Sequence, residues 1–234
     1  MWTRSAVLAL ILVVVAPGAP LSLAGQELGD GFFHFSLIDA DASRTGDATT
    51  GRWEGSGWIG TDFDRVWWNT SGEAADGGFH EAEVMVMYGH YARRFWDVVI
   101  GYRQDFEPTT QGYLTFGVMG LAPYWFEVGL FGFISDQGKP SVRLEGENDL
   151  YLTQRLVLQV GAELDWLLTD DDELDLASGL RELQFGLRTR YEIRRKFAPY
   201  LDLTWSRDES PRTTIAGEVD AEGFRLGVGV RLIY

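Results

Sequence analysis

The chain has 234 residues, 45% of them hydrophobic, with 35 acidic side chains against 20 basic ones and no cysteine. A net charge of −15 leaves no surplus of cations for phosphate backbones, so nucleic acid is not an expected partner, while cations are. Without cysteine there are no disulfides and no thiolate metal sites, so stability must come from burial or from a membrane.

Residues 1–24 predict an export signal: "MWTR" supplies a positive start, "SAVLALILVVVA" a short apolar run, and "LSLA" small residues suited to cleavage after Ala24. The run falls short of the roughly 20 residues a spanning helix needs, and an N-terminal anchor helix is the alternative reading. Losing Arg4 with the signal takes the charge from −15 to −16. Residues 25–31, "GQELGDG", read as a short periplasmic segment and 32–234 as one domain.

Period-two alternation with aromatic residues and glycines then marks twelve segments: 32–42, 52–61, 65–73, 80–91, 96–106, 112–122, 125–135, 140–151, 156–167, 182–194, 200–209 and 222–234. Most have the length of a tilted transmembrane strand, about 9–11 residues. Odd-numbered connections such as "SRTGDATTG", "GEAADGG", "LTDDDELDLASGLR" and "DESPRTTIAGEVDAE" are long and polar. Even-numbered ones ("TDFD", "ARRF", "APY", "LTQR", "RRKFAP") are short. This asymmetry predicts an all-β, antiparallel outer-membrane barrel of about twelve strands, with ten as the alternative count, in contact with outer-membrane lipid. Short turns and both termini would then be periplasmic. A soluble lipocalin-like barrel, with the apolar face inside, is the competing architecture.

The charged faces belong to the lumen in the membrane reading. Arg143, Glu145, Glu147 and Asp149 share one face of 140–151, and Arg188, Arg190, Glu192 and Arg194 share one face of 182–194. Asp97, Arg103 and Asp105 group in 96–106, and Gln159, Glu163 and Asp165 in 156–167. Salt-bridged networks are expected among them. The last segment, "GFRLGVGVRLIY", sets Phe224, Leu226, Val228, Val230 and Leu232 against Arg225 and Arg231 and ends on Tyr234.

The stretches "GLAPYWFEVGLFGFISDQG", "RLEGENDLYLTQRLVLQVGAELD" and "SGLRELQFGLRTRYEIRRKFAPYLDLTW" closely resemble the copper resistance protein B family of bacterial outer membranes, and "HEAEVMVMYGHYARRFWD" fits the same pattern. The resemblance spans roughly 50–234. It implies a non-enzymatic outer-membrane barrel in copper tolerance that binds copper or passes it across the outer membrane, with a structural barrel docking a periplasmic multicopper oxidase as the alternative. Family members often carry a Met- and His-rich segment before the barrel; residues 25–31 here contain neither.

In "HEAEVMVMYGH", 80–90, strand alternation puts Glu81, Glu83, Met85 and Met87 on the inward face and His80, Val84, Val86, Tyr88 and His90 on the other. Thioethers are soft ligands suited to Cu(I), and carboxylates suit harder Cu(II). Met119, on the inward set of 112–122, joins them if the strands bring it to the same height. Plain packing of the lumen by these methionines is the alternative. His80 and His90 lie at opposite ends of the segment and are weaker ligand candidates, as is His34. "WEGSGW", around Ser56, lacks the nucleophile-elbow pattern, which leaves a hydrolase as a remote alternative. The acidic run 169–175 lacks the spacing of a calcium loop.

Overall fold

A computed structural model describes residues 31–45, 48–75, 78–170, 177–208 and 222–234. The proposed signal segment therefore lies outside the described residues. The rest forms twelve strands: β1 Phe33–Thr45, β2 Ala48–Gly60, β3 Asp64–Ala75, β4 Gly78–Arg93, β5 Trp96–Glu107, β6 Gln111–Ala122, β7 Phe126–Ser135, β8 Pro140–Tyr151, β9 Leu156–Leu167, β10 Gly179–Tyr191, β11 Phe197–Asp208 and β12 Glu222–Ile233. Each strand pairs antiparallel with its neighbours in sequence, and β1 pairs with β12, so the sheet closes on itself. Closure leaves no open edge, as a bilayer demands of a spanning sheet.

At the seam Asp39 stands opposite Arg231, Asp41 opposite Gly229. The C-terminal residue completes it: Tyr234 N–H donates to Ser36 O at 2.8 Å, and Ser36 N–H donates back at 2.9 Å.

The distribution of burial decides between the two barrel architectures. Buried side chains include Asp39, Arg103, Asp165, Asp202 and Arg231, while Ile100, Tyr102, Leu114, Phe116, Phe185 and Leu201 are exposed. A soluble barrel would invert that pattern, since unpaired apolar surface belongs inside it. Here the outer surface is a continuous apolar belt that lipid covers and the interior is polar. Ile100, 55% exposed in the middle of β5, tests this directly. Ile100→Arg should cost about 2–4 kcal/mol, read as a lowered urea midpoint for the barrel folded into vesicles. An unshifted midpoint would place Ile100 off the lipid face.

Three details differ from the sequence reading. The first and third connections shrink to 46–47 and 76–77, because pairing continues past the apolar alternation (Arg44 with Thr49, Thr45 with Ala48). Backbone ladders need no apolar side chain once the strands leave the hydrocarbon. The length asymmetry now rests on 168–178 and 209–221, which share one end of the barrel. The connections 61–63, 94–95, 123–125, 152–155 and 192–196 form the other, short-turn end, together with both ends of the strand series. Finally, β10 stops at Tyr191, so Arg194 is not a lumen residue: its backbone bridges to Phe197 and closes the turn, leaving it exposed.

Candidate functional site

Met85 and Met87 share one buried cluster, and Met119, opposite Asp97 and Gly129 in the register, packs against its margin. Met87 stands opposite Gly101 on β5, which in turn stands opposite Thr115 on β6. A Cβ at Gly101 would fall 2.7 Å from Met87 Cγ, so the missing side chain lets Met87 lie across β5. Met85 and Met87 are 3% and 1% exposed and pack with Val99, Tyr113, Phe131 and Phe133, with Met119 and Trp67 against the cluster's margin. Met85 and Met87 thus lie inside an apolar cluster rather than on an open lumen wall, with Met119 at its edge.

Two arginines cover that cluster. The Arg103 guanidinium sits 4.9 Å from the Tyr113 ring centre and 5.0 Å from that of Phe133; Arg143 sits 5.6 Å from Phe133. Arg103 pairs with Glu83 at 3.0 Å and with Asp105 at 2.7 Å. Arg143, from β8, reaches Asp165 at 2.8 Å, Glu163 at 3.1 Å and Glu83, across the interior on β4, at 3.4 Å. Glu83 is therefore held by both arginines and is not a free ligand. Glu81 lies nearer the long-loop end, opposite Glu73.

The histidines stay apart from the methionines. His80 occupies an irregularity in the β3–β4 ladder, with Nε2 3.2 Å from Ala75 O. His90 Nδ1 lies 2.7 Å from Asp64 Oδ1, and Tyr88 OH donates to the same carboxylate. His34 packs on the Tyr234 ring at 5.7 Å. Among the described residues no three His, Asp or Glu side chains are grouped to hold a metal ion. Ser56 stands in β2 opposite Leu37 and Asn69, with no histidine as a register partner. Of the acidic run, Asp170 is described: Ser178 N–H donates to it at 2.7 Å and holds its carboxyl below the usual range.

A second network fills the β1–β2–β10–β11–β12 side. Arg188 pairs with Asp39 at 2.6 Å, Asp202 at 3.0 Å and Glu54, across on β2, at 3.3 Å. Arg231 pairs with Asp39 at 2.7 Å and donates to Gln159 at 3.1 Å. Arg225 joins Asp41 at 2.5 Å and Asp202 at 3.1 Å. Arg190 pairs with Asp149, and Glu192 lies 3.8 Å from Arg190. Sequence reasoning missed Asp39, Asp41, Glu54 and Asp202; on β1 the inward face also carries Leu37, which blurs the alternation there.

Between the networks runs an acidic wall. Glu127 stands directly opposite Glu147, and Glu145 directly opposite Glu163. Like charges in such pairs oppose folding unless water or cations intervene. Glu147 accepts from Gln159 at 2.9 Å. Glu145 leans over Gly129, where a Cβ would fall 2.7 Å from its Oε1, and Gly129 is the register partner of Met119. The acidic wall thus adjoins the methionine cluster.

A closed antiparallel barrel with an apolar belt and a charged, salt-bridged interior defines an outer-membrane β-barrel. Solved structures agree on the fold: a NanC porin (TM-score 0.59, 12% identity, 84% of this chain and 98% of that one) and a KdgM porin (TM-score 0.53, 12% identity, the same coverage). The family model described as Copper resistance protein B precursor (CopB) matches residues 32–234, and the chain belongs to that family. It is 37% identical over 189 residues to Copper resistance protein B of Escherichia coli, covering 80% of this chain. It is 40% identical over 217 residues to a Copper resistance protein B homolog of Pseudomonas syringae pv. tomato, covering 90% of this chain and 74% of that one. The chain spans 64% of the Escherichia coli relative's length.

Proposed function

We propose that the barrel serves copper resistance by binding copper ions within its lumen and passing them across the outer membrane, with cuprous ion held at Met85, Met87 and Met119. The observation that supports this reading is the packing of Met119 of β6 against the buried Met85 and Met87 of β4, beside an acidic wall. Glu127, Glu145, Glu147 and Glu163 would concentrate hydrated cations, and the soft sulfurs would select Cu(I) over harder ions. Because Arg103 and Arg143 cover the cluster, binding requires their guanidinium groups to shift. Residues 1–24 act as an export signal, 25–31 precede the barrel, and the short turns face the periplasm in this reading.

Titration of the refolded barrel with Cu(I) against a chromogenic chelator tests it. Met85→Leu, Met87→Leu and Met119→Leu together keep the volume, so folding should survive at under about 1.5 kcal/mol per site. The triple variant is expected to lose Cu(I) binding by tenfold or more on the ~1.4 kcal/mol-per-decade scale. Unchanged binding would reduce the methionines to packing.

A second reading rests on the contacts from Arg143 to Glu83 and from Arg188 to Glu54, which cross the interior. They favour a bridged lumen without copper flux, in a barrel that positions a periplasmic copper oxidase. Copper flux into liposomes separates the two, since a docking barrel passes none.

A further inference from the structure

We propose that the short-turn rim from β8 to β12 is a headgroup site for an anionic phospholipid. Arg155 ends the β8–β9 connection, and Arg194, Arg195 and Lys196 are the last three residues of the β10–β11 connection. The two turns are one surface, because Glu192 N–H donates to Arg155 O at 2.7 Å. The surface continues to the C-terminus: Ile233 N–H donates to Lys196 O at 3.2 Å, and Lys196 Nζ lies 4.7 Å from the Tyr234 ring centre. All four cations are exposed, and among the described residues none of them has an ion-pair partner. Glu192, in the same connection, lies 3.8 Å from Arg190.

What lies next to these cations chooses the ligand. Tyr151, Leu152, Tyr191, Ile193, Phe197 and Tyr234 are exposed immediately beside them and continue the lipid-facing belt. Four unpaired cations just beyond an apolar collar match the cross-section of a phospholipid, phosphate outward and acyl chains along the barrel wall. Aromatic residues at this depth commonly mark the interface. Each cation near an anionic lipid surface strengthens attachment roughly fivefold. An acidic soluble protein would use the cations but not the collar. The site lies outside the lumen and does not depend on the copper reading.

The test titrates phosphatidylglycerol into the full chain in zwitterionic detergent and counts bound lipid by native mass spectrometry, against phosphatidylcholine with the same acyl chains. The first phosphatidylglycerol should bind about tenfold tighter than phosphatidylcholine. The variant Arg155→Gln, Arg194→Gln, Arg195→Gln, Lys196→Gln should lose that preference, while Arg93→Gln with Arg94→Gln, at another short turn, keeps it. Heat-shifted gel mobility confirms that each barrel is folded. Retention of the preference in the fourfold variant overturns the proposal. So does displacement by equimolar glycerol 3-phosphate, since the collar would then contribute nothing. Binding of poly-L-glutamate without any phosphatidylglycerol preference would assign the rim to a protein partner and overturn it equally.

Discussion

Asp39→Asn is expected to destabilise the barrel by about 3–5 kcal/mol, among the largest losses available to a single substitution here. Asp39 is 2% exposed and accepts from Arg231 Nε at 2.8 Å, Arg231 Nη2 at 2.7 Å and Arg188 Nη1 at 2.6 Å. It also sits at the strand pair that closes the sheet. Removing its charge leaves two buried guanidinium groups facing each other, a cost well above the net value of the pair itself. The urea midpoint of refolding into vesicles measures the loss. Asp39→Asn combined with Arg231→Met should recover part of it, because the double variant no longer strands a charge. Equal midpoints for the wild type and Asp39→Asn would mean that lumen water already solvates this network. By contrast, Asp149, about a third exposed beside Arg190, should give under about 1 kcal/mol when neutralised.

The sequence made the wall of this barrel legible and most of its interior chemistry illegible. Segments 140–151 and 156–167 were readable to the residue because lipid on one side and water on the other enforce strict alternation. Arg194 was misplaced because the alternation runs on into the turn after Tyr191, and only the backbone bridge to Phe197 ends it. The acidic wall needed register: nothing local to 126–135 or 140–151 says that Glu127 will stand opposite Glu147. The covering arginines are hidden for a related reason, since Arg143 and Glu83 are sixty residues apart in sequence and meet across the lumen. Inward placement of the three methionines was readable from strand parity. The burial of Met85 and Met87 was not, because it depends on Phe131 and Phe133 on β7, three strands along from β4.

Phe131→Ala is the second large loss, expected at about 3–5 kcal/mol. The ring is 1% exposed and leans over Gly117, where a Cβ would fall 2.9 Å from its Cδ1. Loss of the ring adds a cavity term to the lost transfer energy. The same substitution separates structural methionines from ligands. In the absence of copper, the loss should be similar whether position 85, 87 and 119 carry methionine or the Leu replacements, because the volumes match. Excess cuprous ion should then raise the stability of the methionine-bearing Phe131→Ala barrel by about 2.7 kcal/mol at a hundredfold excess over the dissociation constant. The Leu-bearing counterpart should gain nothing, since it offers no soft ligand. Equal stabilisation of both would locate copper at the carboxylates of the acidic wall rather than at sulfur, and no stabilisation of either would leave the cluster as the apolar filling of a charged lumen.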